Sequence, residues 1–484
     1  MANNEIHQAG DYKLELAELV SYRVHNEENK TYRVDIKPIL VNIELSENIM
    51  QNHMVGSLTV YDTQDIRTVL PITGLEKLLL KFNTPGMSGI NAVEGEGFPF
   101  HVYKIDKINL NERQGKAQAY RIFFTAEEAF RDSMSRISKA YTGKIEDAVE
   151  DILRNKKFLN SKKKLFFEPS ASNNKVVIPN LRPYEAINWM ICQLKAEKYN
   201  GGGYFFYETP RGWFLRSLES MMAVNGVAAR PVVWDYHYQT ANVKNEGMKD
   251  VASDMHSVIK YEFIKPTNSL FNLRSGMYCS KLLIHDAFNK IFQELDFDYQ
   301  KNFEKNFHTE HDNGQKSKNK FTIPMNKWED TNKSFTENPD SQLSFQSGTS
   351  KIHDTMDTLG KVLSQEVLSQ TLAMGSIQLK LLVPSNSLIQ AGDMISFDLP
   401  LMRPLGQEKQ LPNPYYTGRY LITAVKHSLS TVASQYNMVL ECYKDAVHTP
   451  FELEIDNSTL DKPIYETHNI YDMDELLLKD TDNA

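Results

Sequence analysis

Two histidines, His308 and His311, are spaced three residues apart and could share a metal ion. Imidazole nitrogens are common ligands of zinc and other transition metals. The HExxH pattern of a helical zinc site is absent, and the surrounding residues 300–352 are rich in Lys, Asn and Ser. A polar stretch with few apolar anchors is typical of a long loop. We therefore favour a solvated loop over a metal site and predict no bound metal.

Two short glycine-containing stretches have residue types that bind phosphate or carry a nucleophile, but their spacing fits neither chemistry. A phosphate-binding loop that used Gly143 and Lys144 would need glycine where Ser138 stands, and a hydroxyl residue directly after the lysine. Residues 86–89, GMSG, lack the GxSxG spacing of a nucleophile elbow. We predict a helix start at the first stretch and a flexible loop at the second.

Two further features are interpreted as structural. His427 lies within the strand-like stretch ITAVKHSL, where a lone histidine is usually held by hydrogen bonds. A lysine run with phenylalanines nearby has too little charge for a nucleic-acid patch, so we predict a solvated helix end and turn. The residues of this run are Lys156, Lys157, Lys162, Lys163, Lys164, Phe158 and Phe166. No motif brings two carboxylates together for acid–base catalysis, so we predict no catalytic residue, no cofactor and no enzymatic activity.

Charge and cysteine content narrow the class of protein. The 484 residues carry a formal net charge of −8, and residues 451–484, with ten acids and two lysines, account for all of it. The formally neutral remainder argues against a dedicated nucleic-acid binder. The cysteines, Cys192, Cys279 and Cys442, have no paired spacing, which predicts reduced, buried thiols in a protein that folds in a cytosol. We expect no signal peptide and no transmembrane segment, because neither apolar pattern is present.

Residues 12–130 alternate between apolar and polar side chains as β-strands do. The stretch 32–45, YRVDIKPILVNIEL, alternates in two phases that change at Lys37-Pro38. This predicts one strand with a β-bulge, able to bend around a barrel corner. With the alternating stretches that follow, the block contains about six strands, which favours a small antiparallel barrel or sandwich.

Helical periodicity appears after residue 130. One helix is predicted from the apolar stripe Ile145, Ala148, Val149, Ile152 and Leu153. A second opens at Pro183, as proline does in a first turn, and its buried face is Ile187, Met190, Ile191 and Leu194. Two aromatic stretches that flank Thr209–Gly212 predict a hairpin.

The last ordered block returns to strands. A predicted helix at 354–374 uses Leu359, Val362, Leu363 and Val367. It leads into alternating residues 376–384 and then into VPSNSLIQAGDMISFDLP, where Gly392 permits a tight turn before a strand. We predict that residues 376–445 complete a barrel that begins earlier in the chain. The predicted fold class is α+β, mostly β, with two small antiparallel barrel domains and helical and mixed α/β segments between them.

The predicted segments are a β-barrel at 1–130, a mixed α/β domain at 131–230, a second β-rich segment with a polar excursion and a helix at 231–375, a closing β unit at 376–446 and an acidic tail at 447–484.

Short motifs in chain order give the sequence a family resemblance. The strand with Gly56–Thr59 and Asp62, followed by Leu70-Pro71, Gly74 and Glu76, resembles the first domain of phage baseplate hub subunits. VVIPNLRPYEAINWM and YFFYETPRGWFLRSLE resemble the middle of that family. VPSNSLIQAGDMISFDLP, TGRYLITAVKHSL and YNMVLECYKDA resemble its closing unit, and related motifs occur in hubs of contractile injection machines. The resemblance covers most of residues 12–446.

The resemblance implies a structural protein of the virion, assembled in the bacterial host cytoplasm. It is similar to the T-even myophage hub, in which three copies form a ring with two tube-like barrels per copy. Such a ring presents a pseudo-six-fold face to a hexameric tail tube and a three-fold face to a trimeric spike, and DNA passes through its lumen without specific binding. Edge strands in such barrels pair across subunits.

Two alternative functions and one further hypothesis remain at this point. The chain could be the hub of another contractile injection system, with its spike on a separate chain, or a tail-associated wall hydrolase. The acidic tail, which contains Leu476–Leu478 among its acids, either docks onto a baseplate neighbour or is a disordered solvating end.

Overall fold

The computed structural model describes most of the chain up to residue 448. The described residues are 5–25, 30–63, 66, 70, 72–108, 118–171, 173–192, 194–199, 203–224, 228–238, 251–265, 268–286, 290–310, 323–325, 343–347, 356–401 and 412–448. The chain divides into two units, Met1–Thr449 and Pro450–Ala484, and every described residue belongs to the first. The predicted acidic tail, including residues 476–478, lies outside the described residues.

Strands outnumber helices. The strands are β1 (Lys13–His25), β2 (Lys30–Asp35), β3 (Leu40–Asn48), β4 (Val55–Asp62), β5 (Lys77–Asn83), β6 (Ile90–Asn91), β7 (Phe100–Ile108), β8 (Gln118–Ala126), β9 (Ala140–Gly143), β10 (Leu165–Phe167), β11 (Asn174–Val177), β12 (Tyr204–Thr209), β13 (Gly212–Ser217), β14 (Ala223–Val224), β15 (Ala228–Ala229), β16 (Trp234–His237), β17 (Lys260–Lys265), β18 (Cys279–Asp286), β19 (Ile291–Asp298), β20 (Ile323–Pro324), β21 (Leu343–Ser347), β22 (Ile377–Pro384), β23 (Met394–Asp398), β24 (Gly418–Ser430), β25 (Gln435–Lys444) and β26 (Ala446–Val447). The helices are α1 (Glu127–Met134), α2 (Ile145–Arg154), α3 (Pro183–Ile191), α4 (Leu218–Met222), α5 (Val251–His256), α6 (Ser269–Arg274), α7 (Tyr299–Phe303) and α8 (Met356–Ala373), with a 3-10 turn at Lys37–Ile39. The predicted mostly-β class is confirmed.

Fourteen of these strands form one hydrogen-bonded sheet within the described residues. The strand order along it is β17-β22-β25-β24-β3-β4-β8-β7-β5-β1-β2, with β6 beside β5, β23 beside β24 and β16 beside β23. Neighbours pair antiparallel, apart from the parallel pair β16 and β23. The sheet therefore joins strands from the first 130 residues to strands from residues 234–265 and 377–444.

The two halves of the sheet meet where β3 pairs with β24. Residues Asn42–Asn48 lie opposite Ala424–Ser430, with Leu45 opposite His427. One hydrophobic core runs beneath both halves, with fully buried members such as Phe82 and Phe124 from the first and Leu381 and Tyr436 from the second. Burial of this shared apolar surface stabilises the two halves as one body.

The predicted pair of closed barrels is not confirmed. Among the described residues, no strand pair closes either half of the sheet on itself. The closing unit does complete a sheet that starts earlier, since β22 pairs with β17 and β23 pairs with β16.

The predicted single bulged strand at 32–45 is wrong. Lys37–Ile39 form a 3-10 turn that separates β2 from β3, and the two strands lie far apart in the strand order. Pro38 explains the break, because its fixed φ and missing N–H suit the first turn of a helix and not a strand interior. Ile36 still donates its N–H to the carbonyl of Ala17, so the corner stays attached to β1.

A second core lies in the middle of the chain, and here the predicted elements are confirmed. The stripe of α2 is buried, and α3 begins at Pro183 as predicted. The hairpin forms with Thr209 opposite Gly212. Trp213 and Phe206 of this hairpin are stacked 4.9 Å apart and pack against both helices within one cluster.

The predicted polar loop at 300–352 is only partly a loop. Helix α7, a buried segment at 306–309 and the strands β20 and β21 all fall near or within it. Residues 311–322, 326–342 and 348–355, and with them His311, lie outside the described residues. The apolar anchors come from elsewhere in the chain, which is why local composition missed this packing.

The helix predicted at 354–374 is confirmed as α8, and Val367 is the one residue of its predicted apolar stripe whose side chain the structure describes. Val367 is only half-buried, whereas Gln365 and Ser369 are buried. Gln365 donates to the carbonyl of Ser280 at 3.0 Å, and Ser369 donates to that of Met277 at 2.6 Å. The side chains of Leu359, Val362 and Leu363 lie outside the described part of the structure.

Of the three predicted buried thiols, Cys279 and Cys442 are buried and Cys192 is exposed. All three are free. Cys192 directly follows α3, and its thiol donates to the Asn188 carbonyl at 3.2 Å.

Candidate functional site

A buried polar cluster lies where β3 meets β24. Glu47 of β3 and His427 of β24 are almost fully buried, and His427 Nε2 lies 3.3 Å from Glu47 Oε1. The other ring nitrogen, Nδ1, lies 2.7 Å from the Tyr436 hydroxyl of β25. Burial raises the pKa of Glu47, and the hydrogen bond from His427 only partly offsets this. The sequence prediction that His427 is a hydrogen-bonded structural residue is confirmed.

His308 forms a second buried cluster with Asp445. Its Nδ1 lies 2.8 Å from Asp445 Oδ2, and its Nε2 lies 2.6 Å from the carbonyl oxygen of Phe303. Both partners are acceptors, so both ring nitrogens carry protons and the ring is an imidazolium. Burial alone would lower the pKa of His308, but the Asp445 carboxylate outweighs it and raises that pKa. The predicted solvated loop is therefore wrong at His308.

The same segment is tied to the sheet at Glu310. Its carboxylate accepts hydrogen bonds from the N–H of Arg419 at 2.7 Å and from Lys444 Nζ at 2.8 Å. Lys444 is buried and also donates to the carbonyl of Thr417 at 2.7 Å. Burial lowers the pKa of Lys444 although Glu310 raises it. Residues 306–310 thus form a strap, held across β24 and β25 by charged groups.

A third cluster surrounds Lys163, one of the lysines predicted to be solvated. Lys163 is buried, with Nζ 2.7 Å from Glu128 Oε2 of α1 and 2.5 Å from Glu208 Oε1 of β12. Burial would lower the pKa of Lys163, but the two carboxylates outweigh it and raise that pKa. Ser161 donates to Glu128 at 2.6 Å and accepts the indole N–H of Trp213 at 3.0 Å. The cluster therefore links α1, which directly follows β8 of the main sheet, to the middle core.

The other lysines of that run behave as predicted. Lys156, Lys157, Lys162 and Lys164 are exposed. Lys163 differs because two carboxylates approach it from distant parts of the chain. Sequence proximity could not reveal this.

The other candidate motifs have structural roles. α2 begins directly after Lys144, so the predicted helix start is confirmed. The stretch 86–89 is a turn in which the Met87 N–H donates to the Thr84 carbonyl and the Ser88 carbonyl accepts the Ser387 hydroxyl at 2.6 Å. Within the described residues no group of three or more His, Cys, Asp or Glu side chains is placed to hold a metal ion. No helix in that part of the chain is long and apolar enough to span a membrane.

The motif residues that carry the family resemblance shape the first half of the sheet. Glu76 is buried and accepts the N–H groups of Thr73 and Gly74, each at 2.9 Å, which fixes the turn before β5. Gly74 has φ +99°, a conformation that favours glycine. Asp62 is buried and accepts the Tyr120 hydroxyl at 3.1 Å. Leu70 is buried, and Pro71 lies outside the described residues.

The two ends of the main sheet are open edges within the described residues. β2 ends the sheet on one side and β17 on the other. β17 exposes Ile259 beside it and Phe263 and Ile264 within it, by 37–49%. Open strand edges are templates for pairing with another chain. These edges are the candidate assembly surfaces of the molecule.

Comparison with known proteins identifies the fold but no sequence family. No family model matches the sequence, and no curated protein matches it significantly. The 43 kDa tail protein of prophage MuSo2 from Shewanella oneidensis matches the structure with a TM-score of 0.50 at 8% identity, over 89% of this chain and 98% of that one. The chain has the fold of a phage tail protein. The resemblance inferred from the motifs is confirmed at the level of fold.

Two more structures are similar to this tail-protein fold at lower scores. A tail protein from Neisseria meningitidis MC58 has a TM-score of 0.48 at 10% identity, over 90% of this chain and 97% of that one. A component of the type VI secretion system from E. coli has a TM-score of 0.38 at 9% identity, over 90% and 76%.

The sequence analysis did not predict the buried charges, although a local signal was present for two of them, Lys444 and Asp445. Lys444 and Asp445 interrupt the apolar strand YNMVLECYKDAV, where charged side chains require partners if they are buried. Their partners, Glu310 and His308, lie more than 130 residues earlier, and nothing local in the sequence connects them.

Proposed function

We propose that this chain is a structural, non-enzymatic hub subunit of a contractile phage-tail baseplate. Three copies form a ring that joins the hexameric tail tube to a trimeric central spike, and DNA crosses its lumen without specific binding. The subunit resides in the virion and assembles in the host cytoplasm. The acidic residues 451–484 contact a neighbouring baseplate protein.

The observation that carries this proposal is the tail-protein fold itself. The likeness to the Shewanella prophage tail protein extends over nearly the whole of both chains, so it concerns the complete architecture and not one common module. A fold alone does not determine function, so features of this chain's own residues are needed as further support.

The arrangement around β3 and β24 supports a subunit with two related halves. On one side the order is β3-β4-β8, and on the other it is β24-β25-β22, with every pair antiparallel. In each half a hairpin, β3–β4 or β24–β25, contributes the strand at the joint. Such an order fits two modules that meet at the pair Leu45 and His427. Three chains with two modules each present six units to a six-fold tube.

The joint is built to keep those modules at a fixed register. The Glu47, His427 and Tyr436 cluster is buried at the centre of the pairing, and a shift by one residue would place these polar groups against apolar neighbours. A rigid joint suits a ring that must match the spacing of a tube.

The first test is the mass in solution of the purified full chain, with negative-stain images of the same sample. We expect three times the 55.6 kDa of one chain and a three-fold ring with an open centre. The measurement is repeated with the spike protein from the same phage co-expressed, because ring closure can require the spike. A monomer under both conditions contradicts the proposal.

A muramidase assay on the same preparation tests the non-enzymatic part separately. We expect no cleavage of peptidoglycan above the buffer control.

A truncation after residue 450 tests the role of the tail. The truncated chain is expected to capture a baseplate neighbour more weakly than the full chain, while the ring stays intact. Unchanged capture of every baseplate neighbour contradicts docking by the tail.

A further inference from the structure

A groove of about 400 Å³ lies on the middle domain beside the short strand β10. Its floor is aromatic. Phe166 of β10 stacks on Phe214 of β13 at 4.8 Å, and Phe214 stacks in turn on Tyr207 at 5.5 Å. Phe166 and its neighbour Phe167 remain 42% and 50% exposed. The groove therefore offers an apolar surface that nothing in the described residues covers.

One wall of the groove is a free strand edge. β10 pairs in parallel with β13, and no described strand pairs with its other side. The N–H of Trp213 donates to the carbonyl of Lys164, and the N–H of Glu168 donates to that of Leu215, so the even-numbered residues face β13. In a parallel pair the alternate residues, Leu165 and Phe167, direct their backbone groups outward. An extended segment can add a strand at that edge.

The groove is positively charged. Its lining includes Lys198, Arg216 and Arg230 against a single acid, Glu168. The carboxylate of Glu168 already accepts the N–H and the hydroxyl of Ser217, at 2.7 and 3.1 Å. The lining thus has a formal charge of +2 in a chain whose first 450 residues are neutral.

Of these three cations, Arg230 has an acidic partner in the fold, and Arg216 has none among the described residues. Arg230 pairs with Asp393 at 3.1 Å, and Arg211 approaches the same carboxylate at 3.5 Å. Among the described residues no carboxylate lies within ion-pair distance of Arg216, which donates only to the hydroxyl and carbonyl of Ser220. Burial, followed by the charge of Arg216, lowers the pKa of Arg230. An incoming carboxylate would relieve this repulsion.

We propose that the groove at β10 binds an extended acidic peptide segment of a partner protein, with large apolar side chains on the Phe166–Phe214 stack and carboxylates on Arg216 and Lys198. A strand edge favours a peptide over a nucleic acid, and three cations are few for a phosphate backbone. This binding mode is independent of the ring proposed above, since it concerns one subunit and one peptide.

The test uses the full-length chain and a labelled pool of nonapeptides, with Asp or Glu at alternate positions and Leu, Ile, Phe or Tyr between them. The matched pool carries Asn and Gln instead of the acids, and a single-stranded oligothymidine is the nucleic-acid probe. We expect the acidic pool to bind at least about tenfold more tightly than the neutral pool, and binding to weaken with salt.

Variants locate the binding. Arg216→Gln and Phe166→Ser are each expected to weaken the acidic pool about tenfold, whereas Lys156→Gln, on an exposed lysine outside the lining, leaves it within about twofold. Thermal unfolding of each variant shows whether it is folded. If Phe166→Ser disrupts the fold, Arg216→Gln still tests the proposal, because it leaves the aromatic side chains of the groove in place. Equal binding by the neutral pool, unchanged binding by both groove variants, tighter binding of oligothymidine or no peptide binding at all would each overturn the proposal.

Discussion

His427 of β24 and Glu47 of β3 lie 3.3 Å apart, although 380 residues separate them in the chain. They hold the pairing through which the two halves of the main sheet become one. Glu47 Oε2 has no hydrogen-bond partner among the described atoms, so the contact of Oε1 with His427 is the main stabilising contact of this buried carboxyl group. Removing one partner of such a pair is costly because the other is left buried without compensation.

His427→Ala is expected to lower the free energy of unfolding by about 2–5 kcal/mol, because the buried Glu47 carboxyl group loses its hydrogen-bond partner and a cavity is left in the core. Chemical unfolding of the purified chain measures this. Lys426→Ala is the matched control on the adjacent position, where an exposed ion pair with Glu44 at 3.0 Å is worth about 0–1 kcal/mol. Similar losses for the two variants would show that the joint does not depend on the buried pair.

Lys163→Met is expected to destabilise the chain by about 3–5 kcal/mol, because Glu128 and Glu208 then face each other without a cation. Adding Glu208→Gln to Lys163→Met should recover part of the loss, which a double-mutant cycle resolves. Lys164→Met, at the exposed neighbouring position, should remain within about 0.5 kcal/mol of the wild type. A purely additive cycle would contradict coupling between the two groups.

The His308–Asp445 pair predicts a pH dependence with a defined sign. The folded-state pKa of His308 is raised, so its stabilisation is complete below the unfolded value of about 6.5 and is lost as pH rises through the folded value. The pKa of Asp445 is lowered against the effect of burial, so that carboxylate remains charged throughout this range. The melting-temperature difference between wild type and His308→Gln should be largest near pH 6 and shrink toward alkaline pH.

His101 provides a control of opposite sign for that measurement. Burial lowers its pKa, so the folded state disfavours its charged form. The melting temperature of His101→Gln should therefore rise relative to that of the wild type as pH falls below about 6.5. A gap between wild type and His308→Gln that widened toward alkaline pH would contradict the imidazolium at position 308.

Gly56→Ala tests the close packing of β4. A Cβ at this position would lie 2.7 Å from the Glu44 carbonyl oxygen and would overlap the ring of Phe124. Overpacking of this kind costs about 1–3 kcal/mol. Gly143→Ala is the comparison, since a Cβ there meets no atom within 4 Å and only the backbone conformation is strained. Thermal unfolding compares the two, and a smaller loss for Gly56→Ala would mean that β4 shifts easily.

If the proposed ring forms through the open edge at β17, an added charge on that edge should weaken the association of subunits. Ile264→Lys is expected to weaken subunit association about tenfold without changing the melting temperature of the isolated chain, because the added charge disfavours strand pairing. Leu270→Lys, on the exposed surface of α6, is the control. Mass measurements across a concentration series compare the two, and equal association would exclude β17 from the contact.

Local sequence patterns correctly predicted the elements that are determined by neighbouring residues. The stripe of α2, the start of α3 at Pro183 and the hairpin around Thr209 and Gly212 all follow from periodicity and turn chemistry, and all are confirmed. The corner at Pro38 was assigned to a bulge because a change of phase in alternation does not distinguish one extra residue from a helical turn.

Such local patterns do not identify contacts between residues that are distant in the chain. Alternation in the stretch with His427 predicts a strand but does not say that β3 lies beside it. Lys163 resembles its exposed neighbours in every local respect, and only Glu128 and Glu208 distinguish it. The candidate groove likewise combines residues from β10, β13 and the segment before β16, which no single motif connects.

The pairing of β3 with β24 has a consequence for synthesis on the ribosome. β3 ends at Asn48, but its partner strand ends at Ser430, so most of the chain must be translated before the pairing can form. At about 5–20 residues per second, synthesis leaves this edge of β3 without β24 for roughly 20–75 s. During that interval a nascent chain exposes the very edge that the finished subunit buries. Newly made copies on one polysome therefore expose matching free strand edges, which can pair with each other until the C-terminal strands emerge.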